Sequence, residues 1–171
     1  MILKAQKFAA KAHEGVVRRY SGLPYIVHPA RVASKVEAVF MPEHVVVAAW
    51  LHDTVEDTEV TVEEIRCEFG DEVAAIVEEL TNPSKGFPEL SREDRKAMDR
   101  QHIYGVSQYA KVVKLADRID NLRGIIFEAS EDFARLYLRE SDALLVSLLD
   151  VCELLETELT CIIRNGFEKF R

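Results

Sequence analysis

The heptapeptide Leu51-His52-Asp53-Thr54-Val55-Glu56-Asp57 is the densest concentration of chemically competent side chains in the chain. His52 and Asp53 are adjacent, about 100° apart on a helix, so both can reach one ion near the helix end. Glu56 follows His52 by four residues and Asp57 follows Asp53 by four, so the same end carries four polar groups. Seating three carboxylates and an imidazole at the end of an apolar helix costs stability unless something compensates. A divalent cation is the simplest compensation; the other reading of the heptapeptide alone is a helix end fading into a solvated acidic loop. His28 and Asp117 extend the first reading. His28 precedes Pro29 at a helix start, where its side chain can point back across a cleft, and Asp117 is a lone acid in the apolar stretch Val113–Arg118. Together these residues supply a mixed nitrogen and oxygen ligand set of the kind that suits a manganese-like ion with open water positions.

The elements that must position these groups read as helices. Ile2–Glu14 is rich in Ala, Lys and Gln and is closed by Gly15; Val16–Pro24 is a loop punctuated by Ser21-Gly22 and Pro24. Pro29 suits the first turn of a helix that turns Val32, Val36 and Val39 inward. Pro42 restarts the chain into Glu43–Thr54, apolar on most sides and therefore a central, buried helix. Thr61 and Glu64 have the form of a capping box, and the helix they open ends near Phe69-Gly70. Asp71 starts another, with Val73, Ile76, Val77 and Leu80 on one stripe. Asn82–Pro88 is a loop and the best candidate for a mobile segment. Ser91 opens a basic helix to about His102; Tyr109–Phe127 and Asp132–Ile163 are further helical stretches, the latter with Leu144, Leu145, Leu148, Leu149 and Val151 as its apolar face. Val45–Val47 and Lys111–Val113 are strand-like in propensity alone, but they are too short to outweigh helical flanks. One all-α domain over residues 1–171, a compact multi-helix bundle, is the expectation.

Composition narrows the function classes. The net charge of −8 opposes a polyanionic partner, so no nucleic acid is expected, although local cations can still take a small anion. The longest apolar run, Val45–Leu51, has seven residues, far short of a membrane span. The N-terminus lacks a signal-like apolar core, so a cytoplasmic location is expected. Three cysteines without CxxC spacing argue against a disulfide framework or a cysteine zinc site, and Cys152 reads as a core thiol in a long helix. His13, His44 and His102 receive no role.

The order and spacing of His28, His52-Asp53 and Asp117 resemble the HD-domain phosphohydrolases. Arg19–Pro29 looks like the loop before the first metal histidine in one branch of that family. The segments Leu51–Gly70 and Lys114–Asn121 resemble the hydrolase domains of the stringent-response (p)ppGpp synthetase/hydrolases and the small stand-alone alarmone hydrolases. The similarity covers roughly residues 4–155, and no synthetase domain follows, so hydrolysis without synthesis is implied. Two departures fall in the loop that the resemblance implies binds the nucleobase: Arg19-Tyr20 stands where an Arg-Lys pair is usual, and Val16-Val17 replaces a common Gln.

The resemblance implies an HD-type bundle holding Mn2+, or another divalent transition metal, on His28, His52, Asp53 and Asp117. Glu56 and Asp57 match the family's Glu-Asp pair and would orient a water or accept its proton. The implied reaction is removal of the 3′-pyrophosphate from (p)ppGpp. Such a small-molecule phosphorylated nucleotide needs cations that the net charge hides. Arg18 and Arg19 precede His28; Arg92, Arg95 and Lys96 share a helix face, with a solvated surface as the alternative; Lys114 and Arg118 flank Asp117. Asn121 matches a family asparagine that contacts ribose. Two other functions remain open: an HD-type nucleotidase or phosphodiesterase on another nucleotide, and a catalytically silent regulatory nucleotide-binding module.

Overall fold

A computed structural model describes residues 1–171. At its centre lies the helix α3, Glu43–Leu51, in which Val45, Val46, Val47, Ala48, Ala49 and Leu51 are all buried. The β-branched run is helical because every face of α3 finds an apolar neighbour, each fully buried Val or Leu being worth about 1.5–3 kcal/mol. Before it come α1 (Ile2–Ala12) and α2 (Val27–Ala38); after it come α4 (Thr54–Asp57), α5 (Val62–Phe69) and α6 (Asp71–Leu80). A 3-10 turn at Pro83–Gly86 leads to α7 (Arg92–Gly105), α8 (Gln108–Glu128), α9 (Glu131–Leu145) and α10 (Glu153–Lys169).

Helix α1 sets Ala5 and Ala9 against α3, and their small side chains permit close approach. Helix α2 packs on α3 and α8, α6 packs on α3, and α10 closes over α8 and α9. One contiguous cluster of 33 buried apolar residues runs from Ala5 to Ile163. There is no strand; the only bridge pairs Val17 with Pro24 in the loop before α2.

Several expectations are met in detail. Thr61 and Glu64 form a reciprocal capping box at the start of α5. Gly70, at φ 92°, turns α5 into α6 with a conformation that a side chain would strain.

Others need correction. The stretch Asp132–Ile163 is not one helix. Asp150 adopts φ 66°, Leu148 plugs the core through a 3-10 turn, and Glu156 accepts the backbone N–H groups of Val151 and Cys152 at 2.8 Å to begin α10 anew. Leu149 is consequently exposed, and Cys152 is a half-buried residue at a helix start rather than a core thiol inside one. Helix α3 stops at Leu51, before Thr54, because the Thr54 hydroxyl donates to the Leu51 carbonyl and turns the chain at His52-Asp53. The Asn82–Pro88 segment is pinned by Ser84, which is buried, and by Lys85, which reaches the Glu56 carbonyl and Asp57.

Candidate metal centre

Three elements bring the ligands together. The turn after α3 supplies His52 and Asp53, the first turn of α2 supplies His28, and the middle of α8 supplies Asp117. His28 Nε2 lies 3.4 Å from Asp53 Oδ2 and 3.3 Å from Asp117 Oδ1, and His52 Nε2 lies 3.0 Å from Asp53 Oδ2. The ligand atoms of His28, His52 and Asp53 all fall within 4.8 Å of one another, the spacing of donors around a single ion.

The second ring nitrogens fix which way the donors face. His28 Nδ1–H donates to Asp120 Oδ2 at 2.7 Å, and His52 Nδ1–H donates to the Ala49 carbonyl at 2.9 Å. With those protons kept on Nδ1, a cation that displaces the Nε2 protons would meet an Nε2 lone pair from each ring, the arrangement by which outer carboxylates and carbonyls orient metal-binding histidines. His52 Nε2 is buried and makes no hydrogen bond, its 3.0 Å approach to Asp53 being badly directed for one. An orphaned buried nitrogen facing carboxylates fits a divalent cation.

The electrostatics agree. Burial pulls the His28 imidazolium down, yet the hydrogen bonds it donates to Asp117, Asp120 and Asp53 outweigh that and hold the group well above the ordinary histidine value. Burial likewise opposes ionisation of Asp53 and Asp117, but His52 beside Asp53 and Lys114 beside Asp117, with His28 near both, hold the two carboxyls far below the usual range. A pocket that favours protons on its histidines this strongly favours a metal cation for the same reason. The Tyr25 hydroxyl donates to Asp53 Oδ2 at 2.6 Å and lies 3.2 Å from Asp57 Oδ2; burial and the Asp53 charge keep it protonated.

Glu56 and Asp57 stand outside the ligand group and differ from one another. Glu56 is largely buried and accepts the backbone N–H of Asn82 at 3.2 Å and the Asn82 amide at 2.9 Å. Burial pushes its carboxyl above the ordinary glutamate value. Asp57 is exposed and ion-paired with Lys85 at 2.7 Å.

The cations fall into two groups. Arg18 reaches Asp120 Oδ2 and Asn121 Oδ1, both at 3.1 Å, while Arg19 is exposed over the Tyr20 ring. With Tyr25, Asn121, Gly124 and Glu128 they line a cleft of about 180 Å³. Asn121 is also bound to Asp117 through its amide. Around Glu56 a second cleft of about 380 Å³ gathers Lys85, Arg92, Arg95 and Lys96. Arg92 lies there with its guanidinium paired to Glu140 at 2.7 Å, and Arg95 donates to the carbonyls of Pro88 and Leu90. Lys114 is buried, 3.0 Å from Asp117 Oδ2, and stays charged because Asp117 offsets the cost of burial.

Sequence reasoning passed over Tyr25, Asn82, Lys85 and Asp120. Asp120 had a signal, a second acid one turn beyond Asp117 on an apolar helix. The other three are recognisable only by what folding brings beside them. His13 stacks on Tyr25 with 4.5 Å between ring centroids, and burial lowers its pKa, so it acts there as a neutral wall of the site.

The model of the HD domain family matches residues 5–145. The chain belongs to the HD domain family. Among HD-domain relatives, a guanosine-3′,5′-bis(diphosphate) 3′-pyrophosphohydrolase of Xenopus tropicalis is 44% identical over 129 residues, which are 73% of this chain and 69% of that protein. A GTP pyrophosphokinase of Myxococcus xanthus is 40% identical over 141 residues, and there the match spans 80% of this chain but only 18% of the relative. A solved structure described as a metazoan ortholog of SpoT that hydrolyses ppGpp superposes with a TM-score of 0.87 at 29% identity, covering 96% of this chain and 94% of the other. No helix of this HD-domain protein is long and apolar enough to cross a membrane.

Proposed function

We propose that the protein is a metal-dependent hydrolase that removes the 3′-pyrophosphate from guanosine 3′,5′-bis(diphosphate) or its pentaphosphate form, giving GDP or GTP, with residues 1–171 working as one unit. The observation that carries this reading is the convergence of two histidine lone pairs, His28 and His52, on the carboxylates of Asp53 and Asp117 beside the buried Glu56. The names of the similar proteins supply the substrate class.

Those four residues would hold one ion of the manganese type, which when bound lowers the pKa of a water and polarises a phosphoryl oxygen. Asp120 and the Ala49 carbonyl keep the rings turned toward it. Glu56 is the proton acceptor: the Asn82 amide aims it, and its raised pKa brings it nearer the working pH than an ordinary glutamate. The oxygen of water bonds to the phosphorus that carries the 3′-oxygen while its proton passes to Glu56; the bond from that phosphorus to the 3′-oxygen breaks, the 3′-oxygen takes up a proton from solvent, and pyrophosphate leaves. Asp57 and Lys85 hold the Asn82–Gly86 segment against the site. Arg18, Arg19 and Asn121 bind the nucleoside side of the substrate, and Arg92, Lys96 and Lys114 face its phosphates.

One observation favours a second substrate. Arg18 is already bound by Asp120 and Asn121, and Tyr20 stands where relatives of the resembled branch carry a second cation, so the base-side cleft suits another phosphorylated nucleotide as well. Purified protein loaded with manganese and given a panel of nucleotides separates the two. Release of pyrophosphate from guanosine 3′,5′-bis(diphosphate) at the highest kcat/KM is the expected result. Release of inorganic phosphate from a different nucleotide at higher kcat/KM would establish the second, and no turnover of any member would leave a silent binding module.

A further inference from the structure

Helix α8 carries two residues that its own stability does not explain, and both line the cleft beside Arg18 and Tyr25. Gly124 lies inside this 21-residue helix, with no positive φ to require a glycine. A Cβ there would sit 3.6 Å from Glu128 Oε2 and 3.8 Å from Arg18 Nη2, ordinary contacts that nothing in the fold forbids. Gly166 is the opposite case, since a Cβ there would lie 2.5 Å from Leu138 Cδ2. Glycine inside a helix is less stable than alanine, so packing does not account for Gly124.

Glu128 is the last residue of α8, where an acidic side chain meets the negative end of the helix dipole. It is exposed and has no cation partner: Arg123 on the same helix pairs with Glu158 at 2.8 Å, and Arg18 donates to Asp120 and Asn121, both at 3.1 Å. Arg18 Nη2 spends one N–H on Asn121 and has a second to give. A carboxylate and a guanidinium thus come within 4 Å of one point without pairing, and the missing side chain of Gly124 keeps the gap between them open.

That gap presents a donor beside two acceptors. Guanine offers the complement along one edge, with the O6 acceptor next to the N1–H and N2–H2 donors. Adenine opposes the same pattern, with a donor at N6 and a lone pair at N1. Tyr20 and Ile125 line the same cleft of about 180 Å³ and supply apolar surface for a planar ring system. Two locally unfavourable choices, a glycine inside a helix and an acid at its C-terminal end, therefore meet where a base edge would enter.

We propose that Glu128 is the residue that sets base specificity, accepting from N1–H and N2–H2 of a guanine whose edge enters the gap at Gly124 while Arg18 donates to O6. The assignment rests on the nucleotide-hydrolase reading above and names the side chain that chooses its base. An adenine in the gap leaves the carboxylate facing a lone pair and the guanidinium facing an N–H, so two charged groups are desolvated without partners. A methyl group at position 124 takes up the space that the base edge needs.

The test is calorimetric titration of GDP and of ADP into manganese-loaded protein, with wild type, Glu128→Gln and Gly124→Ala compared. Both nucleotides carry the same diphosphate, so the ratio of their Kd values reads the base alone. Wild type should bind GDP about 10–100-fold more tightly than ADP. Glu128→Gln should bring that ratio near one, because the amide keeps a single acceptor for guanine and offers adenine N1 a donor. Gly124→Ala should raise the Kd for GDP about tenfold while its melting temperature rises by roughly 2–4 °C, the sign of a glycine kept for a ligand and not for the fold. Wild type that binds GDP no more tightly than ADP, or binds neither, overturns the proposal. So does a preference unaltered by Glu128→Gln, GDP binding unaltered by Gly124→Ala, or a lower melting temperature in Gly124→Ala. Pyrophosphate release from guanosine 3′,5′-bis(diphosphate) is measured alongside. A guanine preference lost in Glu128→Gln without such release retains the base reader and discards the hydrolase, and release without the preference does the reverse.

Discussion

His28 and His52 each spend one ring nitrogen on the protein, and each has the other free for the centre. Asp53 sits between them and also takes the Tyr25 hydroxyl, so it is the residue on which the most partners depend. Asp53→Ala is expected to abolish stoichiometric binding of a manganese-like ion and to lower thermal stability, checked by metal content after chelation and reloading; equal content in variant and wild type would remove Asp53 from the ligand set. The burial difference between Glu56 and Asp57 divides their roles. Glu56→Gln should retain the ion while lowering kcat roughly 10²–10⁴-fold, as expected for loss of a general base, whereas Asp57→Asn should cost much less because Asp57 is exposed and serves Lys85. The raised pKa adds a pH dependence. A carboxyl whose folded pKa lies above its unfolded value, about 4.3, favours the folded state at low pH and loses that contribution as pH rises through the folded value. Metal-free wild type should therefore show a downward stability component in that window that Glu56→Gln lacks, read from melting curves across pH.

At the scale of elements, the close crossing of α9, α10 and the end of α8 depends on Gly166. A Cβ there would lie 2.5 Å from Leu138 Cδ2 and 3.1 Å from Ile126 Cδ1. Leu138 is fully buried and cannot swing aside without displacing its own neighbours. Gly166→Ala should accordingly destabilise by about 1–3 kcal/mol through overpacking, less the roughly 1 kcal/mol that alanine gains over glycine in a helix. Since the contact is remote from the ligands, kcat should hold while the denaturation midpoint falls; a midpoint equal to or above wild type would mean that α10 shifts freely. The same region shows how an element boundary escapes local pattern. Leu144, Leu145, Leu148 and Leu149 keep helical spacing, yet Asp150 and the Glu156 carboxylate break the helix because α10 packs back on α8 and α9.

For the whole molecule, the candidate metal site is a joint between parts of the chain distant in sequence, with α2, the turn after α3 and the middle of α8 meeting there. A cation bound only by the folded state stabilises all of it, by about 2.7 kcal/mol at a metal concentration 100 times Kd. For a chain of this size that corresponds to a melting temperature roughly 5–10 °C lower after chelation, restored on reloading. Scanning calorimetry with and without chelator checks it, and an unchanged melting temperature in a protein that demonstrably lost its metal would show that the ligand cluster is held by the helices alone.

Residue types and their spacing determined the helical class, the α5 capping box and the four candidate ligands, because periodicity, caps and a cluster of imidazole and carboxylate are local properties of the chain. The loop before α2 and the acidic pair after the candidate ligands were also legible as candidate sites. What the sequence left undetermined is who faces whom. Asp120 holds His28 across 92 residues, Asn82 aims Glu56 across 26, and Tyr25 reaches Asp53 across 28. Glu56 and Asp57 are equivalent as text, and only the packing of the Asn82–Gly86 segment buries one and leaves the other in water. Likewise, Arg118 is one more surface-like cation until α8 packs against α9 and seals its donors inside. Burial and pairing are set by helices meeting in three dimensions, and they decide both the pKa of a carboxyl and the cost of a charge.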